Sequence, residues 1–274
     1  MKSKPLVSIL INNYNKKYFC VKALRSAINQ SYKNTEIIFF DDNSSDLSLK
    51  RIYKLKKKLK IKNLEVIENK RRGHVFSFNQ MEGIKKSLKK SKGQIVCLMD
   101  SDDFFKNNKI KKIVRHFKKN QSDEILFDNP IFYYESKNKK KSNENYIFRE
   151  NKWPKFPPTS CVSFKKKSLI NALNKIYIKK YEELWFDFRI ATYFAIKKKQ
   201  FNFINEHLTY YRQNVSNFDK KYKKYLNLEW WRRRNQAFEF LNFLDKTSYK
   251  KNIYSFDFII TKIINKIIFF NNSI

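Results

Sequence analysis

Five short apolar runs punctuate the first 130 residues of this chain, and helical periodicity fills the segments between them. The runs fall at 6–11, 36–40, 64–67, 95–98 and 124–128. Between the first two, Cys20, Leu24, Ala27 and Ile28 recur at helical spacing; after the second come Ile52, Leu55 and Leu59, with Asp46 or Ser48 placed to cap that helix. Residues 76–88 read as a third helix. Ile110, Ile113, Val114 and Phe117 lie at i, i+3, i+4 and i+7, which is one apolar helix face. Strand and helix alternating at this interval predict an α/β architecture, a mostly parallel sheet with helices on both faces.

Ligands of such sheets bind outside the carboxyl ends of the strands, and here three of those ends are polar. The first strand runs into Asn12-Asn13-Tyr14-Asn15, the second into Asp41-Asp42, and the fourth into Asp100-Ser101-Asp102-Asp103. Carboxylates this close repel one another unless a cation or hydrogen-bond donors accompany them. An Asp-x-Asp pair with oxygen ligands alone suits Mg²⁺ or Mn²⁺, which can bridge to phosphate oxygens. The residues therefore read as a nucleotide site. Tyr14 would stack on a base, Asp42 accept a hydrogen bond from a ring nitrogen, Asp100 take a ribose hydroxyl and Asp102 the metal. A helix cap would explain any one cluster; three of them favour the nucleotide.

The chain of 274 residues is long enough for a sizeable core. Its 60 lysines and arginines against 25 acids give a net charge of +35. Glycine (3) and proline (5) are scarce, so the charge reads first as compositional bias, with attraction to an anionic membrane surface as a secondary consequence. No nucleic-acid-binding module is evident, so no specific nucleic-acid partner is expected. There is no apolar run of eighteen residues and no secretory leader pattern. The expectation is a cytoplasmic protein, or one peripheral to the cytoplasmic face of the inner membrane. Cys20, Cys97 and Cys161 read as reduced core thiols.

Beyond Pro130 the pattern changes. A hairpin is expected from 131–135 and 146–149 around an exposed loop at 137–145, then an aromatic, proline-rich turn at 153–158. A strand at 160–164 and helices at 168–176 and 182–193 follow, with helix from 219 onward. The last helix, about 252–270, carries Lys262 and Lys266 one turn apart in an apolar context; it would pack on the domain or lie in a membrane surface. Trp230-Trp231-Arg232-Arg233-Arg234 fits a helix with buried tryptophans and solvated arginines better than a contact for a lipid phosphate. The expected division is 1–215, with halves 1–130 and 131–215, and a helical C-terminal extension at 216–274.

The blocks at 7–15, 36–46 and 93–103 resemble, in order and spacing, the three blocks of family 2 glycosyltransferases of the GT-A fold. Residues 69–79 are similar to the family's stretch before the metal strand, Asn79 matching its recurrent asparagine. Asn12 stands where the family usually has proline, and Asn43 where glycine is common. The resemblance implies a Rossmann-like GT-A domain and a metal-dependent, hexosyltransferase-type enzyme working with inversion. Its donor would be a UDP- or GDP-linked sugar and its acceptor a glycan or lipid-linked glycan, such as a lipopolysaccharide or capsule intermediate. By that resemblance Asp42 reads the base, Asp100 the ribose or metal, and Asp102 the metal.

Residues 182–189 resemble the family's late acidic segment, with an acid six positions before an arginine. Glu183 holds that place and would be the general base, with Glu182 as the neighbour that could substitute. Tyr210-Tyr211-Arg212-Gln213-Asn214 resembles a Tyr-Arg-x-His element, in which Arg212 would neutralise diphosphate and Asn214 stand for the histidine. His207 reads as structural; His74 and His116 carry no partner signal. A nucleotidyltransferase would need a glycine-rich phosphate loop, and 12–17 has no glycine. The competing class is a basic protein that binds nucleic acid or anionic membrane without transferase activity.

Overall fold

The structure is a computed structural model that describes residues 4–134, 139–141, 155–213, 227–245 and 255–271. Its first half alternates as the periodicity predicts: β1 (Val7–Asn13), α1 (Cys20–Ile28), β2 (Thr35–Asp41), α2 (Ser48–Lys58), β3 (Leu64–Glu68), α3 (Phe76–Lys90), β4 (Ile95–Asp100), β5 (Phe104–Phe105) and α4 (Lys109–Lys119). Then follow β6 (Ile125–Tyr134), β7 (Lys139–Lys141), a 3₁₀ turn (Thr159–Cys161), β8 (Val162–Lys165), α5 (Lys166–Ile176), α6 (Phe186–Lys197) and β9 (Phe203–Gln213). Two further helices, α7 (Leu228–Leu244) and α8 (Phe256–Asn271), complete the described chain.

The strands form one mixed sheet in the order β3-β2-β1-β4-β8-β6-β9-β5, with β7 added to β6. The pairs among β3, β2, β1 and β4 are parallel. Strand β8 enters antiparallel to both β4 and β6. Side chains alternate across a strand, and the core divides accordingly. Val7, Ile9, Ile11, Cys97 and Met99 pack on one face with residues of α1, α2 and α4. Leu10, Ile38, Val96 and Leu98 pack on the other with residues of α3, α5, α6 and α7.

The second half departs from the expected pattern at three places. Strand β6 continues straight through Pro130, which sits at a register shift opposite β9; proline tolerates a bulge because no ladder hydrogen bond is asked of its nitrogen. The hairpin partner of β6 is the lysine triplet of β7, with Ile131 opposite Lys141. Pairing decides there over propensity, and lysines suit an edge strand. The 146–149 partner expected from sequence lies outside the described residues. The helix expected at 182–193 begins only at Phe186, after a 3₁₀ turn at Lys179–Tyr181. The reason is Arg189, fully buried, whose guanidinium donates to the carbonyls of Ile176, Ile178, Tyr181 and Leu184. Those carbonyls lie at the last residue of α5 and in the irregular segment after it, where no helix satisfies them internally. All three cysteines are buried and free of disulfides.

Candidate active site

Because β2, β1 and β4 are parallel neighbours, their carboxyl ends emerge side by side. Asn13 stands opposite Asp41, and Asn12 opposite Asp100. The turns that follow need left-handed backbone at Asn15 (φ 50°) and Asn43 (φ 59°), a conformation asparagine enters more readily than most residues. Asn13 Nδ2 donates to Asp41 Oδ1 (2.7 Å), and Asp46 accepts the backbone N–H of Lys17 (2.9 Å) and of Ser48 (2.8 Å), where α2 begins. Asp41 and Asp46 thus shape the loops, while Asp42 is turned into the cavity beyond them.

That cavity has a volume of about 500 Å³ and is lined by Asn12, Tyr14, Asp42, Asn79, Asp100, Asp102 and Arg212 among others. One end is aromatic and cationic. The Arg72 guanidinium lies 3.7 Å from the centre of the Tyr14 ring, 4.4 Å from that of Phe76, and 2.9 Å from an Asp42 oxygen. Asn69 Nδ2 donates to the other Asp42 oxygen at 2.8 Å. Burial raises the Asp42 pKa against the pull of Asn69 and Arg72. Asn79 lines the wall and clamps the loop that carries Arg72. Its side chain accepts from the Gly73 N–H (3.1 Å) and donates to the Gly73 carbonyl (2.8 Å).

The other end is acidic. Burial pushes the Asp100 carboxyl up to about 7, the Asp102 charge adding to the effect. Gln80 Nε2 donates to Asp100 at 3.3 Å, and Ser160 Oγ accepts the Asp100 backbone N–H at 2.9 Å. Ser160 Oγ also donates to Asp103 at 2.6 Å. Asp102 pairs with Lys16 at 2.5 Å. Burial works against the Lys16 ammonium, yet Asp102 outweighs it and raises its pKa. Arg212 is anchored from both ends, its N–H to Asp103 Oδ1 and its Nε to the Asp102 carbonyl, each at 2.8 Å.

The donor set fits a hard dication. Asp100 and Asp102 present only oxygens, and both line the cavity. Among the described residues no cluster of three or more acids, histidines or cysteines forms a complete metal cage. Two carboxylates with remaining positions left to water and phosphate is how Mg²⁺ and Mn²⁺ are commonly held.

Glu183 is not among the residues lining the cavity. Its backbone N–H donates to Gln236 of α7 at 2.9 Å, and the delayed start of α6 brings a different acid forward. Asp187, in the first turn of α6, lines the cavity together with Trp185, Tyr211 and Arg233. Burial raises the Asp187 pKa, with Arg233 opposing. Burial raises Tyr211 as well, helped by the charges of Asp103, Asp187, Asp102 and Asp100. The sequence assigned no site role to Lys16, Arg72, Gln80, Asp187 or Tyr211, and Arg233, expected as a solvated arginine, lines the cavity instead. Arg72, half of an Arg-Arg pair within a lysine-dominated stretch, carried the one visible signal. Asn214 lies outside the described residues, and His207 sits within β9.

Comparison with known proteins bears on the family and the fold. The family model described as Glycosyl transferase family 2 matches residues 8–202. The chain is 34% identical over 132 residues to WfaP of Escherichia coli, a UDP-Glc:α-D-GlcNAc-diphosphoundecaprenol β-1,3-glucosyltransferase, covering 47% of each chain. Among solved structures it resembles S. aureus TarS 1–349 in complex with UDP (TM-score 0.61, 16% identity, 89% of this chain and 68% of that one). It also resembles the mannosyltransferase PcManGT of Pyrobaculum calidifontis in complex with GDP-Man and Mn²⁺ (TM-score 0.54, 13% identity, 96% and 74%). The matches to four curated relatives, WfaP included, span between 32% and 47% of those proteins' lengths. The fold is GT-A, and the chain belongs to glycosyl transferase family 2.

Proposed function

We propose that this chain is an inverting, metal-dependent glycosyltransferase that moves a sugar from a uridine or guanosine diphosphate donor to a hydroxyl of a surface-glycan precursor. The observation that carries the reading is a cavity of about 500 Å³ lined both by Tyr14 and Asp42 with the Arg72 guanidinium against them and by Asp100 and Asp102. The base fits the Tyr14 end, with Asp42 held by Asn69 and Arg72 to accept from its ring nitrogen. Asp100 takes the ribose or, with Asp102, the dication. Bound there, Mg²⁺ or Mn²⁺ supplies positive charge to the departing diphosphate. Lys16 and Arg212 add fixed positive charge beside the same acids, preorganised for the negative charge that gathers as the sugar leaves.

The general base is Asp187 in place of Glu183. It lines the cavity, and its raised pKa brings it nearer the range in which a carboxylate takes a proton effectively. The acceptor oxygen attacks the anomeric carbon as Asp187 receives its proton, and the bond to the diphosphate breaks. TarS complexes with UDP and UDP-GlcNAc and the PcManGT complex with GDP-Man and Mn²⁺ support the donor class and the cation. The diphosphoundecaprenol in the name of WfaP supports a lipid-linked acceptor, and the proposed meeting place is the cytoplasmic face of the membrane. Among the described residues no helix is long and apolar enough to cross a membrane.

A panel of UDP- and GDP-sugars, assayed for slow donor hydrolysis with and without Mn²⁺, tests the proposal. Hydrolysis of at least one donor, dependent on the cation, is expected. No binding or hydrolysis of any donor, with steeply salt-dependent binding to polyanions, would move the reading to the basic binding protein.

A further inference from the structure

We infer that α8 is a docking face for an anionic bilayer surface, through a stripe of apolar side chains that the fold leaves uncovered. The inference deepens the lipid-linked acceptor proposed above and rests on that reading only for its purpose. One face of α8 is fixed on α7. Asn265 Nδ2 donates to the Trp231 carbonyl at 3.0 Å, and Lys262 Nζ to Asn235 Oδ1 at 2.6 Å. Arg234 Nε donates to Asp257 at 2.8 Å, and the Phe238 and Phe258 rings meet at 5.1 Å. The helix therefore cannot roll to hide its far side. On that side Phe256, Ile259, Ile263 and Ile267 follow at intervals of three, four and four, and they are 77%, 45%, 53% and 54% exposed. Residues so spaced form one stripe along a helix. Exposed Lys266 borders it.

Charge selects the occupant. Two copies of a chain carrying +35 repel each other, which opposes burying the stripe against a second molecule. The same charge is attracted to an anionic leaflet. The acids nearby are already answered, Glu239 by Lys180 and Lys262, and Asp257 by Arg234. An aromatic residue, isoleucines and flanking lysine on a helix lying in the interface plane is the composition that binds there. Helix α7 ties the face to the chemistry, since it holds α8 and also sends Arg233 into the cavity. A lipid-anchored acceptor would then find the cavity one helix away from its own surface.

The test is co-sedimentation of the full chain with phosphatidylcholine vesicles, with or without a quarter phosphatidylglycerol, at near-physiological salt. The expected result is preferential partition onto the anionic vesicles, lowered about tenfold or more in Ile259→Asp/Ile263→Asp. That variant should keep the circular dichroism and nucleotide binding of the parent. Partition unchanged in the variant would overturn the inference, since charge alone would then be responsible. So would a stable dimer that the variant dissolves. Vesicle binding with no turnover of any donor would sustain the docking face and count against the transferase reading alone.

Discussion

Asp187 and Glu183 lie four residues apart, and the two make opposite predictions. Asp187 shares the cavity with Asp100 and Arg233, whereas Glu183 belongs to the turn that leans on α7. Asp187→Asn should lower transfer by roughly 10²–10⁴-fold while donor binding persists, as expected for loss of a general base. Glu183→Gln should change the rate less than about tenfold, because a group outside the cavity has no proton to receive. Steady-state kinetics on both variants decide between them. Asp100 gives a pH prediction. Its folded-state pKa of about 7 stands above the ordinary 3.8, so the native protein keeps a proton that the unfolded chain has released. The contribution is fully present below about pH 4 and is lost as pH rises through 7. In metal-free protein, the Tm of the wild type relative to Asp100→Asn should therefore fall between pH 5 and pH 8. A difference independent of pH would contradict the burial assigned to this carboxyl.

The elements around the site are held by a buried polar network. Lys109, at the first position of α4, is fully buried and pairs with Asp128 of β6 at 2.6 Å. Its ammonium also donates to the Ser160 carbonyl (2.7 Å) and to Thr209 Oγ1 of β9 (2.6 Å). Ser160 in turn holds Asp100 and Asp103. Removing one partner of such a pair strands the other, so Lys109→Met should destabilise by about 3–5 kcal/mol in denaturant unfolding. Helix α3 is seated as closely. A methyl group on Gly83 would come within 2.7 Å of the Phe40 ring and 2.9 Å of Asn12 Oδ1. Gly83→Ala should cost about 1–3 kcal/mol by the same measurement, as overpacking does.

The βα order, the strand ends and the cluster of Asn12, Tyr14, Asp42 and Asp100 were legible, because period-two and period-3.6 patterns are local. Gln80, Arg72 and Asp187 were not, because each acquires its meaning from a strand or loop far away in sequence. The start of α6 was hidden for the same reason, being set by one buried arginine reaching back over thirteen residues to Ile176. The lysine strand β7 exists through its pairing with β6 alone.

At the scale of the whole molecule, both the parallel part of the sheet and β9 contribute residues to one cavity. The ends of β1, β2 and β4 bring Asn12, Asn13, Phe40 and Asp100 to the cavity, and β9 brings Tyr211 and Arg212 in beside Asp102 and Asp103. Helix α7, beyond the residues matched to the family, adds Arg233. In the proposed function Asp100 and Asp102 hold a cation that carries the diphosphate. Calorimetric titration of UDP and GDP into wild-type protein and Asp102→Asn, with and without Mn²⁺, measures that directly. Cation-dependent binding to the wild type, weakened about a hundredfold or more by the substitution, is the predicted result. Equal affinity in both proteins, unaffected by Mn²⁺, would contradict it.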